Sequence, residues 1–418
     1  MQMDIIGKKI LILGGSAEGQ ETVENANAMG LKTIVVDPDP QAPAKKIAWK
    51  SYDTDALDLE ALTRIGREEQ VDGVFVGLSE RLLEVYRRLC QRLELPCYCT
   101  KEQLEVFCDK IAFKEKCRAY GIPVIRDYRP EEVDHYPVLV KPADSSGSKG
   151  ISVCYKQEDL TEAVERAKSF SPSGRTLIED YLEGDQLTAN YTIREGVPYL
   201  SLLNDRYVIK PYEEYGSFGI AVTFPGKYGE LYWETIHPNM CRMLKDMGFS
   251  NAPVNLQAFV DGDVIRFYDP ALRIGGGRAY LITEHLTGFN IQKALLHFAV
   301  SGELESGESI VLGEEDWRLK GKVALQANLA VKTGIIGSVT GLEKLREIPE
   351  LIAFFQLRKP GEKIYLAGTS QQTVLRLYFV AETKEALKRA YQKALDAIRI
   401  TDEKGEDMLL EPFDYEKA

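Results

Sequence analysis

The apolar residues of the first hundred positions switch between two periods, and that alternation restricts the fold more than any other feature. Lys9 to Leu13 is a short apolar run that closes on Gly14-Gly15-Ser16-Ala17-Glu18-Gly19. A helical stretch follows to Met29, and Gly30 stops it. Thr33 to Val36 is β-branched and ends at Asp37-Pro38, Leu59 to Ile65 reads as helix, and Val71 to Val76 reads as a buried strand. From Glu80 onward Leu82, Leu83, Tyr86, Leu89, Cys90 and Leu93 keep helical spacing. Strand and helix in strict alternation imply a parallel sheet with helices on both faces.

Further along, the spacing predicts a helix over Asp109 to Tyr120 and a strand over Pro137 to Lys141. A loop of small residues follows, then a helix marked by Leu160, Ala163, Val164 and Ala167, then a strand over Thr176 to Glu179. Strand patterns dominate from 189 to 284, and the chain reads as mixed beyond 290, with a helix over Lys384 to Ile398. Cys97 and Cys99 flank Tyr98 in a strand-like run. A chain of 418 residues is too long for one core. We expect four parts: an α/β domain over 1–100, subdomains over 101–184 and 185–300, and a mixed C-terminal domain over 301–418.

A net charge of −12 argues against nucleic acid as a partner. No apolar run approaches the ~20 residues of a membrane span, and the stretch before Gly14 is too short for a secretory signal. Seven cysteines without a CxxC pair suit a reduced, cytoplasmic protein. Four histidines show no zinc-ligand spacing.

Four features carry chemistry. GGSAEG follows a strand and opens a helix, where free N–H groups favour an anion. Lys141 ends a strand and leads into Ser145-Ser146-Gly147-Ser148-Lys149-Gly150, whose small residues let backbone N–H groups approach phosphate oxygens. Ile178-Glu179-Asp180-Tyr181-Leu182 runs from a strand into an extended segment able to offer backbone edges to a purine. Gln257 and Asp269 fall on strands that read as an antiparallel pair, with Arg273 and Gly275-Gly276-Gly277 close behind. Oxygen ligands so placed suit Mg²⁺, and Arg273 suits a transferring phosphoryl group.

In this order, together with Asp109-Lys110 and the Glu80 that follows DGVFVGLS, the features resemble the ATP-grasp superfamily over residues 8 to 300. The resemblance implies a parallel α/β pre-grasp domain, an ATP-grasp fold of two α+β subdomains and a mixed α+β C-terminal domain. It implies that Lys110 and Lys141 meet the phosphates of ATP under a loop of Ser145, Ser146, Gly147, Ser148 and Gly150. Glu179, Asp180, Tyr181 and Leu182 would hold adenine, with Gln186 at the ribose. Gln257 and Asp269 would hold Mg²⁺, or Mn²⁺ in its place, and Arg273 and Lys141 would be catalytic. The family's metal motif, E-x-N-x-R, stands here as Asp269-Pro270-Ala271-Leu272-Arg273, so an Asn ligand is replaced by Ala271.

Such enzymes phosphorylate a carboxylate with ATP and let an amine displace phosphate. The layout is similar to that of the L-amino-acid ligases, which implies small carboxylate and amine substrates and is compatible with a homodimer. Glu18, Glu80, His237 and Gly276 are candidate substrate residues. Two alternatives stay open: a biotin-carboxylase or purine-pathway carboxylase or transformylase, and a weakened ATP-binding sensor or partner protein. A dinucleotide oxidoreductase built on GGSAEG leaves the other three features unexplained.

Overall fold

The computed structural model describes residues 5–145, 149–210, 218–304, 313 and 316–417. Four strands, β1 (Lys9–Leu13), β2 (Lys32–Val36), β3 (Lys50–Tyr52) and β4 (Gly73–Phe75), form a parallel sheet in the order β3-β2-β1-β4. Ile10 to Leu13 and Thr33 to Val36 are buried, as expected of strands covered on both faces. One cover comes from far away in sequence. The helix Ile291–Ser301, capped by Asn290, packs so closely on β4 that a Cβ added to Gly73 would lie 2.2 Å from the Ala299 carbonyl. Lys8 Nζ donates to the Val300 carbonyl at 2.9 Å on the same side.

The second unit is a small antiparallel sheet of β5 (Asp127–Tyr128), β6 (Val138–Pro142), β7 (Ser152–Cys154) and β8 (Thr176–Asp180), in the order β5-β8-β6-β7. The helix Gln157–Ser169 buries Leu160, Ala163 and Ala167 against it.

An eight-stranded antiparallel sheet fills the rest. It contains β9 (Gln186–Arg194), β10 (Val197–Ile209), β11 (Phe218–Phe224), β12 (Ala252–Asp261), β13 (Val264–Ala271), β14 (Val323–Ala330), β16 (Leu351–Gln356) and β18 (Thr373–Ala381). Their order is β13-β12-β9-β10-β11-β14-β18-β16, so the sheet runs without a break across residue 300. A three-stranded sheet of β15 (Gly334–Thr340), β17 (Lys363–Ile364) and β19 (Arg399–Asp402) and the helix Lys384–Ala397 complete the C-terminal part.

The stretch from 189 to 284 is less uniformly β than its composition suggests. Gly229–Thr235, His237–Asp246 and Tyr280–Thr287 are helices. Aromatic and β-branched residues at Tyr232, Trp233, Thr235 and Ile236 imitate a strand. The burial of Tyr232, Ile236, Met240, Met243 and Leu244 follows the helical period instead. Residues 97–99 adopt no strand, and Cys97 and Cys99 are free thiols with Sγ atoms 3.9 Å apart. Among the described residues no helix is long and apolar enough to cross a membrane.

Candidate active site

The helix Lys110–Ala119 begins where Asp109 accepts hydrogen bonds from the Ile111 and Ala112 amides, at 2.9 and 3.0 Å. This cap fixes Lys110 in the first turn and places Lys114 one turn later on the same face. Lys110 Nζ donates to the Ser145 carbonyl at 2.8 Å and pairs with Asp269 Oδ1 at 3.1 Å. It therefore ties the start of the glycine-containing loop to β13.

Beneath that contact lies a buried ionic group. Glu179, near the end of β8, pairs through Oε1 with Lys141 Nζ at 2.5 Å and through Oε2 with Lys114 Nζ at 2.8 Å. The Lys114 side chain is wholly inaccessible, and those of Lys141 and Glu179 are 5% and 3% exposed. Burial would raise the Glu179 carboxyl, but Lys141 and Lys114 outweigh it and hold Glu179 below its ordinary value. Lys114 also lies 3.7 Å from Asp127, which pairs with Arg118, so three cations on two carboxylates leave a net positive charge, suited to an anion bound above them. Lys141 also points at the Tyr268 carbonyl, 3.4 Å away, and lies over the Tyr268 ring.

The opposite wall is the β12–β13 hairpin. Gln257 stands across from Asp269 in the strand register, and the register slips at the next step, so that Ala258 faces Phe267. Tyr268 is the extra residue of this bulge, a device that re-aims side chains beside sites. Its hydroxyl donates to Gln257 Oε1 at 2.7 Å. Asn255 faces Ala271 two pairs further along. Arg273 donates through Nη1 to the Ile274 carbonyl at 3.0 Å, and its buried Nε has no partner among the described residues. Glu80 sits in a short turn after β4. Burial and the Asp269 charge raise its carboxyl, partly offset by Lys110 and Arg273.

The remaining candidates divide. Asp180 accepts from the Tyr128 hydroxyl at 2.6 Å and lies 3.0 Å from His135 Nε2, so protein groups already occupy it. Tyr181 and Leu182 continue beyond β8, half-buried. Gln186 accepts from Arg206 Nη1 at 2.7 Å. Gly150 has a positive φ of 72°, and a Cβ there would lie 2.8 Å from Phe170 Cβ, so only glycine suits it. Ser146, Gly147 and Ser148 lie outside the described residues, as does the side chain of Glu18. Gly276 is exposed at the mouth of the cleft. His237 lies in an aromatic stack, 4.1 Å from the Trp233 ring, and its Nδ1 is 2.9 Å from the Tyr191 hydroxyl. In GGSAEG the Gly15 amide already donates to Asp37 Oδ2 at 2.7 Å.

Sequence reasoning passed over Lys114, Tyr268, Arg206 and Arg376. Lys114 alone carried a signal, its spacing of four from Lys110 on a helix.

Residues 7–79 match the family model of the ribonucleotide synthetase preATP-grasp domain, and residues 127–197 match that of the D-Ala–D-Ala ligase C-terminus. The chain is 32% identical over 121 residues to a D-alanine–D-alanine ligase of Fusobacterium nucleatum, covering 28% of this chain and 40% of that one. It is 26% identical over 341 residues to a formate-dependent phosphoribosylglycinamide formyltransferase of Methanocaldococcus jannaschii, covering 73% and 81%. Against two other such formyltransferases it spans about half their length, 52% and 51%. The crystal structure of an L-amino acid ligase from Bacillus licheniformis superposes with a TM-score of 0.75 at 17% identity, covering 95% of this chain and 99% of that one. Fold and matched domains together define the class as ATP-grasp. The chain resembles that superfamily in fold, and residues 7–79 match its preATP-grasp domain model.

Proposed function

We propose that the protein is an ATP- and Mg²⁺-dependent carboxylate–amine ligase that makes an amide through an acyl phosphate. The observation that carries this reading is the Lys110–Asp269 ion pair over the buried Lys141–Glu179–Lys114 group. Cationic groups from one half of the cleft and oxygen ligands from the other meet where phosphate would lie. Mutual repulsion of two anions is the main barrier to phosphoryl transfer, and Lys110, Lys141 and Arg273 would offset it.

Asp269 and Gln257 fit a divalent cation in donor chemistry, since both offer hard oxygens from facing positions on one hairpin. A cation there would neutralise phosphate charge. The amine would meet Glu80. With its carboxyl raised, Glu80 is suited to take the proton that an attacking ammonium must lose. Arg273 would hold the carboxylate and stabilise its phosphorylated form.

The test is ADP release across pairs of acids and amines. Release that requires both partners supports the ligase. ADP formation with bicarbonate alone points to a carboxylase and overturns the ligase reading.

Ala271 favours a second reading, a weakened ATP-binding sensor. It is 4% exposed and offers no oxygen beside Asp269. That reading gains if Ala271→Asn raises turnover greatly while ATP affinity stays the same.

A further inference from the structure

We propose that Arg206 and Arg376 form a subsite for a second anionic group on the acid substrate, which therefore carries at least two negative charges. The inference rests on the ligase reading and narrows its substrate class.

A cleft of about 330 Å³ opens on the face of the eight-stranded sheet, roofed by the loop that follows β13. Among its described lining residues three are cationic, Arg206, Arg273 and Arg376, and none is acidic. This occurs in a chain whose net charge is −12. The hydrogen bonds recorded for these guanidinium groups go to neutral oxygens. Arg206 donates to the Gln186 side chain at 2.7 Å. Arg376 donates through Nε to Asn328 Oδ1 and through Nη1 to the Gly276 carbonyl, both at 3.1 Å. Neutral acceptors fix the orientation of a cation without cancelling its charge, and an uncompensated half-buried charge is costly until an anion arrives.

Strand register sets Arg206 in one row with Val222, Gln326 and Tyr378, and places Arg376 two residues from Tyr378 on the same face of β18. Gln186 faces Arg206 across β9 and β10, and Asn328 faces Arg376 across β14 and β18. Between them Asn328 Nδ2 donates to the Gly219 carbonyl at 2.9 Å. The atom nearest a Cβ built on Gly219 is Arg206 Nε, at 3.6 Å, so a longer side chain there would fill the lane between the arginines. The roof is held to the row of Arg206. Tyr378 donates to the Gly277 carbonyl at 2.8 Å, and a Cβ on Gly277 would lie 2.7 Å from Gln326 Oε1. Arg273 thus serves the reacting carboxylate, and the Arg206–Arg376 pair serves a distal anion. The described lining offers no carboxylate to an α-ammonium, which turns the assignment from simple amino acids towards dicarboxylates or phosphorylated carboxylates.

The test is calorimetric titration of the full chain, free of nucleotide, with malate, phosphoglycolate, acetate and L-alanine. At least one of the two dianions should bind more tightly than either acetate or alanine, and its affinity should fall as salt is added. Preference between malate and phosphoglycolate identifies the distal group as carboxylate or phosphate. Arg206→Gln and Arg376→Gln should each weaken that binding about tenfold or more, with Arg376→Lys intermediate. Thermal melts of each variant establish that it is folded. Acetate or alanine binding as tightly as both dianions, no dianion binding, or unchanged affinity in both folded Arg→Gln variants would overturn the subsite. Titration with a non-hydrolysable ATP analogue tests the ligase reading separately. Nucleotide binding without dianion binding removes the subsite alone, and the reverse removes the ligase reading alone.

Discussion

Gln257 and Asp269 face each other on β12 and β13, and the Tyr268 bulge beside them brings a tyrosine hydroxyl onto the Gln257 oxygen at 2.7 Å. The hairpin thus presents a carboxylate paired with Lys110 and, at the facing position, an amide oxygen. Asp269→Asn removes the charged member and should lower Mn²⁺ affinity in the presence of ADP by about tenfold or more, read by electron paramagnetic resonance. Undiminished Mn²⁺ binding would place the cation elsewhere.

Lys141→Ala and Arg273→Ala should fail differently. Lys141 is locked to Glu179 beneath the proposed phosphate site, so its loss should weaken ATP binding about tenfold or more. Arg273 should act on the charge that develops during transfer, so its loss should lower kcat about a hundredfold with little effect on ATP affinity. Equal loss of nucleotide affinity in both variants would refute this division.

Glu179→Gln leaves Lys141 buried without its paired carboxylate and Lys114 with only the longer contact to Asp127, and should cost about 3 kcal/mol of stability, measured by urea unfolding at pH 7. The pH dependence has a definite sign. The folded-state Glu179 carboxyl lies below its ordinary value, so its contribution is complete above the unfolded pKa of roughly 4.3 and is lost as pH falls through the folded value. The variant should lack that acid limb. An identical limb in both proteins would show that Glu179 does not supply it.

His237 supplies a second, separate limb. Burial pushes its imidazole down to about 4. The unfolded chain takes up the proton near pH 6.5 while the folded chain resists it, so stability should decline as pH falls from about 6.5 towards 4. His237→Phe keeps a ring beside Trp233 and should flatten the decline. A catalytic role predicts instead that kcat collapses in this variant at all pH values.

Much of the scaffold was legible because its signals are local. The strand and helix alternation of residues 9–93 reports burial directly. Gln257 and Asp269 sit twelve residues apart with a Gly262 turn between them, which is enough to pair them. What stayed hidden depends on contacts between distant segments. Nothing within Ile291–Ser301 announces that it covers a sheet made by residues 9–75. Arg206 and Arg376 lie 170 residues apart in largely apolar strands, and only the pairing of β10 with β11, β11 with β14 and β14 with β18 brings them onto one face in neighbouring rows. Helix Gly229–Thr235 was obscured because packing overrode the β preference of its aromatic residues.

The unbroken sheet through β11 and β14 has a practical consequence for anyone dividing this chain. Cutting near residue 300 would strip β14, β18 and β16 from β11 and leave two raw edges, each with a ladder of unmet donors and acceptors. The fragments should stick to one another or to themselves. The same incision would part Arg376 from Arg206, so a chimaera that seeks a new acid preference must exchange strands on both sides of that seam together.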